Sequence, residues 1–362
     1  MTTILIPTKP DDIHAICVKL ALEKKGHSCT LWHIADFPEQ QTHTFEFKNN
    51  ELFWQAAGTD FRIKNINEFD VVWLRRPQKP LLPDYLHIDD IENAQKENEA
   101  LFKTFWQVIA PNAFWINPIQ SINSVNCKLQ QLKIAASVGL TVPETLVSNN
   151  PFKIKKFIQE NECAVIYKPL YPVSWLNQNE VRLTYTDEIR LDDLPSDLAL
   201  QGTTSIFQRK ILKAFELRIT YFGNFCIAAK LLSQQHPRGI IDWRYVPPNE
   251  LCIEPFSLPE KIHEKCKSFM QKFGIVFGCF DFIVTPEGEY YFLEINEQGQ
   301  FLWIENVNPD FKMLDIFTEF VLNGKNYFSW NQKSTSLKLA EVEPEVDLFL
   351  KNSIKLHKAD VA

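Results

Sequence analysis

The sequence predicts an α/β fold, an open α/β layer followed by a central unit and then an antiparallel sheet. Three observations predict it. The chain opens with a β-α-β pattern: apolar Thr3-Ile4-Leu5-Ile6, a helical stretch with Ile13, Ile16, Val18, Leu20 and Leu22, and a second apolar run from Thr30 to Ile34. A period of two returns in Glu216 to Phe222 and Phe225 to Lys230, joined by Gly223-Asn224, as in two antiparallel strands. Cys279 to Val284 then pairs with Glu289 to Ile295 through the turn Pro286-Glu287-Gly288.

The elements follow in order. The first helix stops at Lys24-Lys25-Gly26, a basic last turn and a glycine cap. Phe45 to Phe61 reads as a Phe-rich, partly exposed antiparallel meander, and Phe69 to Leu74 as the third strand of the opening layer. Ile88 to Ile109 is helical, and Pro111 with Asn117-Pro118 closes the first unit. A helix from about Asn126 to Val138 stops at Gly139. Ala164 to Lys168 and Ile206 to Ile211 are strands flanking a polar hairpin-like region, and a helix from Glu260 to Phe273 ends at Gly274. Past Trp330 the chain turns charged and is expected to form a peripheral tail.

Composition limits the function. The chain has 362 residues, 45% hydrophobic and 23% charged, so a large packed core is expected. Its 38 Lys and Arg against 45 Asp and Glu leave a formal net charge of −7, which excludes a global basic field that would recruit nucleic acid or anionic lipid. No basic start with a long apolar stretch opens the chain, and no run of about 18 apolar residues occurs, so neither export nor a membrane span is expected. The eight cysteines form no C-x-x-C pair and are expected to be reduced core thiols of a cytoplasmic protein, and no His/Cys spacing suits zinc. No Gly-x-Gly follows the first strand, which argues against a dinucleotide site.

Chemistry concentrates in the last two strands. Side chains alternate across a strand, so Asp281 faces with Ile283, and Glu294 shares a face with Asn296. Converging carboxylate and amide oxygens suit Mg²⁺ that keeps waters and bridges nucleotide phosphates. Without a Gly-rich loop, a phosphate site needs side-chain cations. Candidates are Lys128 near a helix start, Lys168 at a strand end and Lys230 at the end of Ala228-Ala229-Lys230. Arg218 and Glu216 must share a strand face opposite Leu217 and Ile219, and Arg75-Arg76 stand at the end of the third strand, where open α/β sheets bind ligands.

Taken in order, Lys128, Lys168, Phe207 to Ile211, Glu216-Leu217-Arg218, Lys230, Asp281 and Glu294-Ile295-Asn296 resemble an ATP-grasp ligase over roughly Met1 to Trp330. Val72 to Pro77, Asn126 to Leu132, Lys213 to Arg218, Asp242-Trp243-Arg244 and Asn296 to Glu305 are similar to the graspetide synthetases, the microviridin-type peptide macrocyclases. The resemblance implies a pre-ATP-grasp α/β domain at 1–118, a central subdomain with a peptide-docking hairpin at 119–205, a C-terminal antiparallel-sheet subdomain with the metal site at 206–330, and the charged tail at 331–362.

The resemblance also implies roles. Lys128 and Lys168 hold the inner phosphates of ATP; Gln208, Arg209, Lys210 and Ile211 form the hinge against adenine; Glu216 takes the ribose. Asp281, Glu294 and Asn296 hold Mg²⁺; Arg218, Lys230, Asp242 and Arg244 form the catalytic set facing the transferred phosphate; Arg75 and Arg76 meet the substrate. The flap Pro169 to Trp175 lacks the glycine of many ATP-grasp enzymes. The implied activity phosphorylates Glu or Asp side chains of a ribosomal precursor peptide and closes ω-ester or ω-amide rings with Thr/Ser or Lys. The rival readings are a ligase joining a free amino acid or amine to a carboxylate and a non-catalytic ATP-binding scaffold. A homodimer is compatible with the sequence.

Overall fold

The structure, a computed structural model, describes residues 1–162, 164–170, 174–177, 180–183, 186–331 and 336–359, the strands 174–177 and 180–183 by backbone alone. Cys163, residues 171–173 of the expected flap, and 332–335 and 360–362 of the expected tail lie outside the described residues.

The opening layer is a four-stranded parallel sheet in the order Ser28–Trp32, Thr3–Pro7, Val71–Trp73, Phe114–Ile116. Asp12 starts the first helix, Ile13–Lys24, by accepting from the amides of His14 and Ala15. The Phe-rich segment is the antiparallel meander Thr42–Lys48, Glu51–Ala57, Arg62–Ile63, whose Trp54 packs with Trp32, Phe105 and Trp106 in one apolar cluster. The helix expected over Ile88 to Ile109 ends at Thr104 and tightens into a 3₁₀ turn at Phe105–Gln107.

The central unit is an antiparallel sheet in the order Asp187–Ile189, Val165–Lys168, Ser205–Arg209, Thr145–Ser148. Helix Pro151–Glu160 covers it, burying Ile154, Phe157 and Ile158 against Val165 and Phe207. Ser174–Asn177 and Glu180–Leu183 pair as the hairpin expected in this region.

The third sheet is antiparallel, in the order Ile253–Phe256, Phe225–Leu231, Phe215–Phe222, Phe277–Val284, Tyr290–Asn296. Gly223 turns its first hairpin at φ +61°, where a Cβ would stand 2.0 Å from the Asn326 carbonyl oxygen, so glycine alone fits. One face carries Leu217, Ile219, Tyr221, Phe280 and Phe282 against helix Glu260–Phe273. The opposite face packs Phe222 and Phe277 on Phe317 of helix Met313–Asn323 and turns polar at its other end.

The described part of the tail is not peripheral. Helix Glu343–Leu356 lies on the first helix, and Leu339, Val342 and Val346 are buried in the cluster that also holds Ile16, Phe301 and Phe317. The physical reason is the first helix itself, which is apolar on nearly every side and needs cover beyond its sheet.

Candidate active site

The polar end of the third sheet is set by register. Arg218 stands opposite Asp281, Asp281 opposite Glu294, and Cys279 opposite Asn296, so all of these side chains leave one face. Arg218 Nη1 donates to Asp281 Oδ2 at 2.6 Å, and its Nη2 donates to the Gln300 carbonyl at 3.2 Å. Gly299 makes that second contact reachable. A Cβ there would lie 2.2 Å from Cys279 Sγ, so only glycine lets this loop press onto the sheet.

Lysines arrive from the neighbouring elements. The expected helix from Asn126 is two, Ile119–Val125 and Lys128–Ser137, separated by an extended Cys127, and Lys128 is thereby the first residue of the second. Its Nζ meets Glu294 Oε2 at 2.5 Å. Three residues on, on the same helix face, Gln131 bonds the amide and carbonyl of Ile295, which pins the edge strand so that this ion pair forms. Lys168 Nζ, at the end of its strand, donates to Gln208 Oε1 at 3.0 Å.

Arg244 comes from the loop after the third sheet's first hairpin. Asp242 fixes it by accepting from its backbone amide and from its guanidinium, with Nε at 2.9 and 3.1 Å from the two oxygens, and also caps the Thr186 amide.

The electrostatics follow. Burial pushes the Asp281 carboxyl up against the pull of Arg218, and the neighbouring Glu294 charge adds to the rise. Burial acts on Glu294 likewise, but Lys128, Lys168 and Arg244 together outweigh it and hold this carboxyl below its ordinary value. Burial lowers Lys168. Two carboxylates with opposite shifts therefore share one face surrounded by four cations, Arg218, Lys128, Lys168 and Arg244, a setting suited to binding polyphosphate and a divalent metal.

The hinge residues run from Gln208, buried, to Arg209, exposed, and half-buried Lys210 and Ile211; Lys210 pairs with Glu188 at 2.8 Å. Glu216 is buried beside Lys213 Nζ at 2.5 Å and Ser233 Oγ at 2.9 Å, both on Oε1. Two expected residues are not brought to the face. Lys230 stands opposite Leu217, hence on the other side of the sheet from Arg218, where its Nζ lies 4.8 Å from the Phe215 ring and 3.6 Å from Glu254. Arg75 is fully enclosed, its Nε on Asp12 at 3.1 Å and its Nη1 toward the Gly299 carbonyl, and burial leaves Nη2 without a partner among the described residues. Arg76 alone of that pair reaches the surface, lining a cleft.

Sequence reasoning missed Asp12, Asn117, Asn126, Gln131 and Lys213. Asn117 ties the Glu297 carbonyl to the start of strand Phe277–Val284, and Asn126 donates to Glu297 Oε1 at 2.9 Å. A legible signal existed for Asp12, a helix cap before an apolar run, and for Gln131, one turn after Lys128. The cysteine expectation needs one correction: seven described cysteines are free, but Cys127 and Cys252 are exposed rather than in the core.

No family model matches the sequence, and no curated protein is similar to it. Solved structures are. A RiPP-associated ATP-grasp ligase of Chryseobacterium gregarium, in complex with ADP and a leader and core peptide, is 25% identical with a TM-score of 0.79 over 90% of this chain and 98% of its own. The macrocyclase MdnC of Microcystis aeruginosa, bound with precursor peptide MdnA, is 31% identical with a TM-score of 0.76 over 89% of this chain and 100% of its own. Macrocyclase MdnB of the same organism is 27% identical with a TM-score of 0.72 over 90% and 100%. A parallel layer, a central antiparallel sheet and a five-stranded sheet with a cation-rich, carboxylate-bearing face match the ATP-grasp ligases as a class, and the chain belongs to their peptide-macrocyclase family, the graspetide synthetases.

Proposed function

We propose that this chain is an ATP- and Mg²⁺-dependent ligase that phosphorylates Asp or Glu side chains of a ribosomal precursor peptide and closes ω-ester or ω-amide rings on them. The observation that carries the reading is the single sheet face on which Arg218, Asp281 and Glu294 are consecutive cross-strand partners, with Lys128 bound to Glu294. The likeness to MdnC, a macrocyclase bound with its precursor peptide, supports the choice of a peptide substrate.

The residues fit the metal. Asp281, Glu294 and Asn296 offer hard oxygen donors on one face, the set Mg²⁺ uses beside phosphate ligands. When bound there, it would neutralise charge on the phosphates. Lys128 and Lys168 would anchor the inner phosphates, the Gln208 to Ile211 segment would line the adenine, and Glu216, held through Oε1 by Lys213 and Ser233, would take a ribose hydroxyl.

The chemistry needs a leaving group, because a carboxylate is a poor electrophile. A substrate carboxylate oxygen attacks the γ-phosphorus of ATP, the bond to the bridging oxygen breaks and ADP leaves. A hydroxyl or amine of the same peptide then attacks the acyl carbon, phosphate leaves with the carbon–oxygen pair, and the nucleophile's proton passes to solvent or phosphate. Arg218 and Arg244 stabilise the charge shared by carboxylate and phosphoryl, and Asp242 orients Arg244. Free cysteines among the described residues suit a reducing compartment, and a cytoplasmic site of action belongs to the same proposal.

The test is co-expression with short peptides rich in Asp/Glu and Thr/Ser or Lys encoded beside the gene, followed by mass spectrometry and nucleotide chromatography. Loss of one water per ring with ADP and phosphate is expected. AMP with pyrophosphate, or an unchanged peptide mass with every such peptide, would overturn the reading; a mass gain would mean a free amino acid is joined instead.

A further inference from the structure

A cleft of about 560 Å³ opens beside the catalytic face. Arg76, Gln300 and Trp303 form one wall. Both of the last two lead directly to the site: the Gln300 carbonyl accepts from Arg218, and Trp303 stacks at 4.7 Å on Trp243, the neighbour of Arg244. The other wall is supplied by the C-terminal segment, through Leu339, Glu343, Val346 and Asp347.

That segment is tied down along its length. The Leu337 amide donates to Asp315 and the Leu339 amide to Glu305 at 2.8 Å, and Lys24 pairs with Glu345 on the exposed side. At its far end sits the tightest anchor. His357, buried, places Nδ1 2.7 Å from Asp36 Oδ2 and Nε2 3.3 Å from Asp60 Oδ2, and the next amide, of Lys358, donates to Asp36 Oδ1 at 2.7 Å. Carboxylates on both ring nitrogens require both to carry protons, so the ring is an imidazolium.

We propose that residues 337–358 form a strap that walls the peptide-substrate cleft, and that His357 is the positioning residue that latches it onto Asp36 and Asp60. The proposal rests on the peptide-ligase reading for the occupant of the cleft, a segment of the peptide flanking the reacting side chain, since Gln300 lines the cleft while its carbonyl holds Arg218. The latch itself rests on geometry alone. The charged and titratable groups facing His357 are Asp36 and Asp60 on its nitrogens, His33 with its ring 4.2 Å away, and Glu39, which pairs with Lys358. Burial lowers His33 to about 4, so it stays neutral beside the imidazolium. Burial also opposes the charge on His357, but the two carboxylates outweigh it and raise its pKa to about 9. The latch is therefore complete below the ordinary histidine value near 6.5 and is lost as pH rises through about 9.

The test uses the full chain in three forms, unaltered, His357→Ala and the milder Asp60→Asn, the second in case the first does not fold. Hydrogen exchange of amides 343–356, corrected for intrinsic rates, is expected to quicken by about tenfold or more in His357→Ala. The unaltered chain should show the same quickening between pH 7 and pH 10. ADP affinity is expected to hold within about twofold while the KM for the linear precursor peptide rises and kcat stays near its starting value. Exchange unmoved by both variants and by pH overturns the latch; a freed strap with an unchanged peptide KM overturns its place in the cleft. If the unaltered chain cyclises no peptide, the functional reading fails, and the exchange result still decides the latch.

Discussion

Arg218 and Asp281 are register partners on adjacent antiparallel strands, and their side chains close a 2.6 Å ion pair on the polar face of the five-stranded sheet. The pair is mostly withdrawn from water, with Arg218 8% and Asp281 19% exposed. Arg218 compensates a carboxylate that burial already disfavours, and in the proposed mechanism it also faces the reacting groups.

Arg218→Met separates those duties from bulk. It leaves Asp281 next to Glu294 with no cation of its own, so a loss of about 3 kcal/mol in unfolding free energy is expected, together with abolished turnover. Urea unfolding followed by fluorescence reads the first. Pairing it with Asp281→Leu should recover much of the stability, because the orphaned charge is gone, and none of the activity. A double variant as unstable as the single one would show that the cost is packing, not charge.

Glu294→Gln and Lys230→Met form a contrasting pair. Glu294 lies on the proposed catalytic face in contact with Lys128, so removing only its charge should reduce turnover by about 100-fold or more while the unfolding free energy changes by less than about 1 kcal/mol. Lys230 lies on the far side of the sheet near an exposed Glu254, and its variant should keep turnover within about threefold. ADP release in the presence of the linear precursor peptide measures both. Equal losses in the two would mean that the sheet, rather than one of its faces, is what the reaction needs.

Acid should destabilise the fold through its buried neutral histidines. Burial holds His14 down to about 3 and His43 and His33 to about 4, so each stays neutral when folded and takes up a proton when unfolded below about 6.5. For a base lowered in the folded state, stability is present above the unfolded value and falls as pH drops toward the folded one. Each such histidine costs up to about 1.4 kcal/mol per pH unit in that window. Urea midpoints at pH 7 and pH 5 should fall accordingly, and His43→Phe should fall less. An identical fall in that variant would remove His43 from the account.

Much of the site was legible because alternation along a strand is local. Glu216 and Arg218 on one face with Leu217 and Ile219 on the other, and Glu294 with Asn296, needed only the period of two. The misplacement of Lys230 was avoidable on the same grounds: a two-residue turn at Gly223-Asn224 makes Phe222 and Phe225 partners, which already sets Lys230 opposite Leu217. Arg75 is different. Whether the first or second of two adjacent arginines reaches solvent depended on Asp12 arriving from another element.

The sequence by itself determined the opening β-α-β unit, the two hairpins of the five-stranded sheet and the carboxylate pair, because these follow from side-chain periodicity and turn chemistry over a few residues. The strands Phe114–Ile116, Thr145–Ser148, Asp187–Ile189 and Ile253–Phe256 emerged only in the fold. Only the tertiary structure decided which cations meet those carboxylates, since Lys128 reaches Glu294 across 166 positions through the anchoring of Gln131 on Ile295. It decided the fate of the C-terminal segment as well. A helix as apolar all round as Ile13–Lys24 announces that something must cover it, yet burial is non-directional and does not name the partner. That choice fell to Leu339, Val342 and Val346, and to one histidine between two distant aspartates.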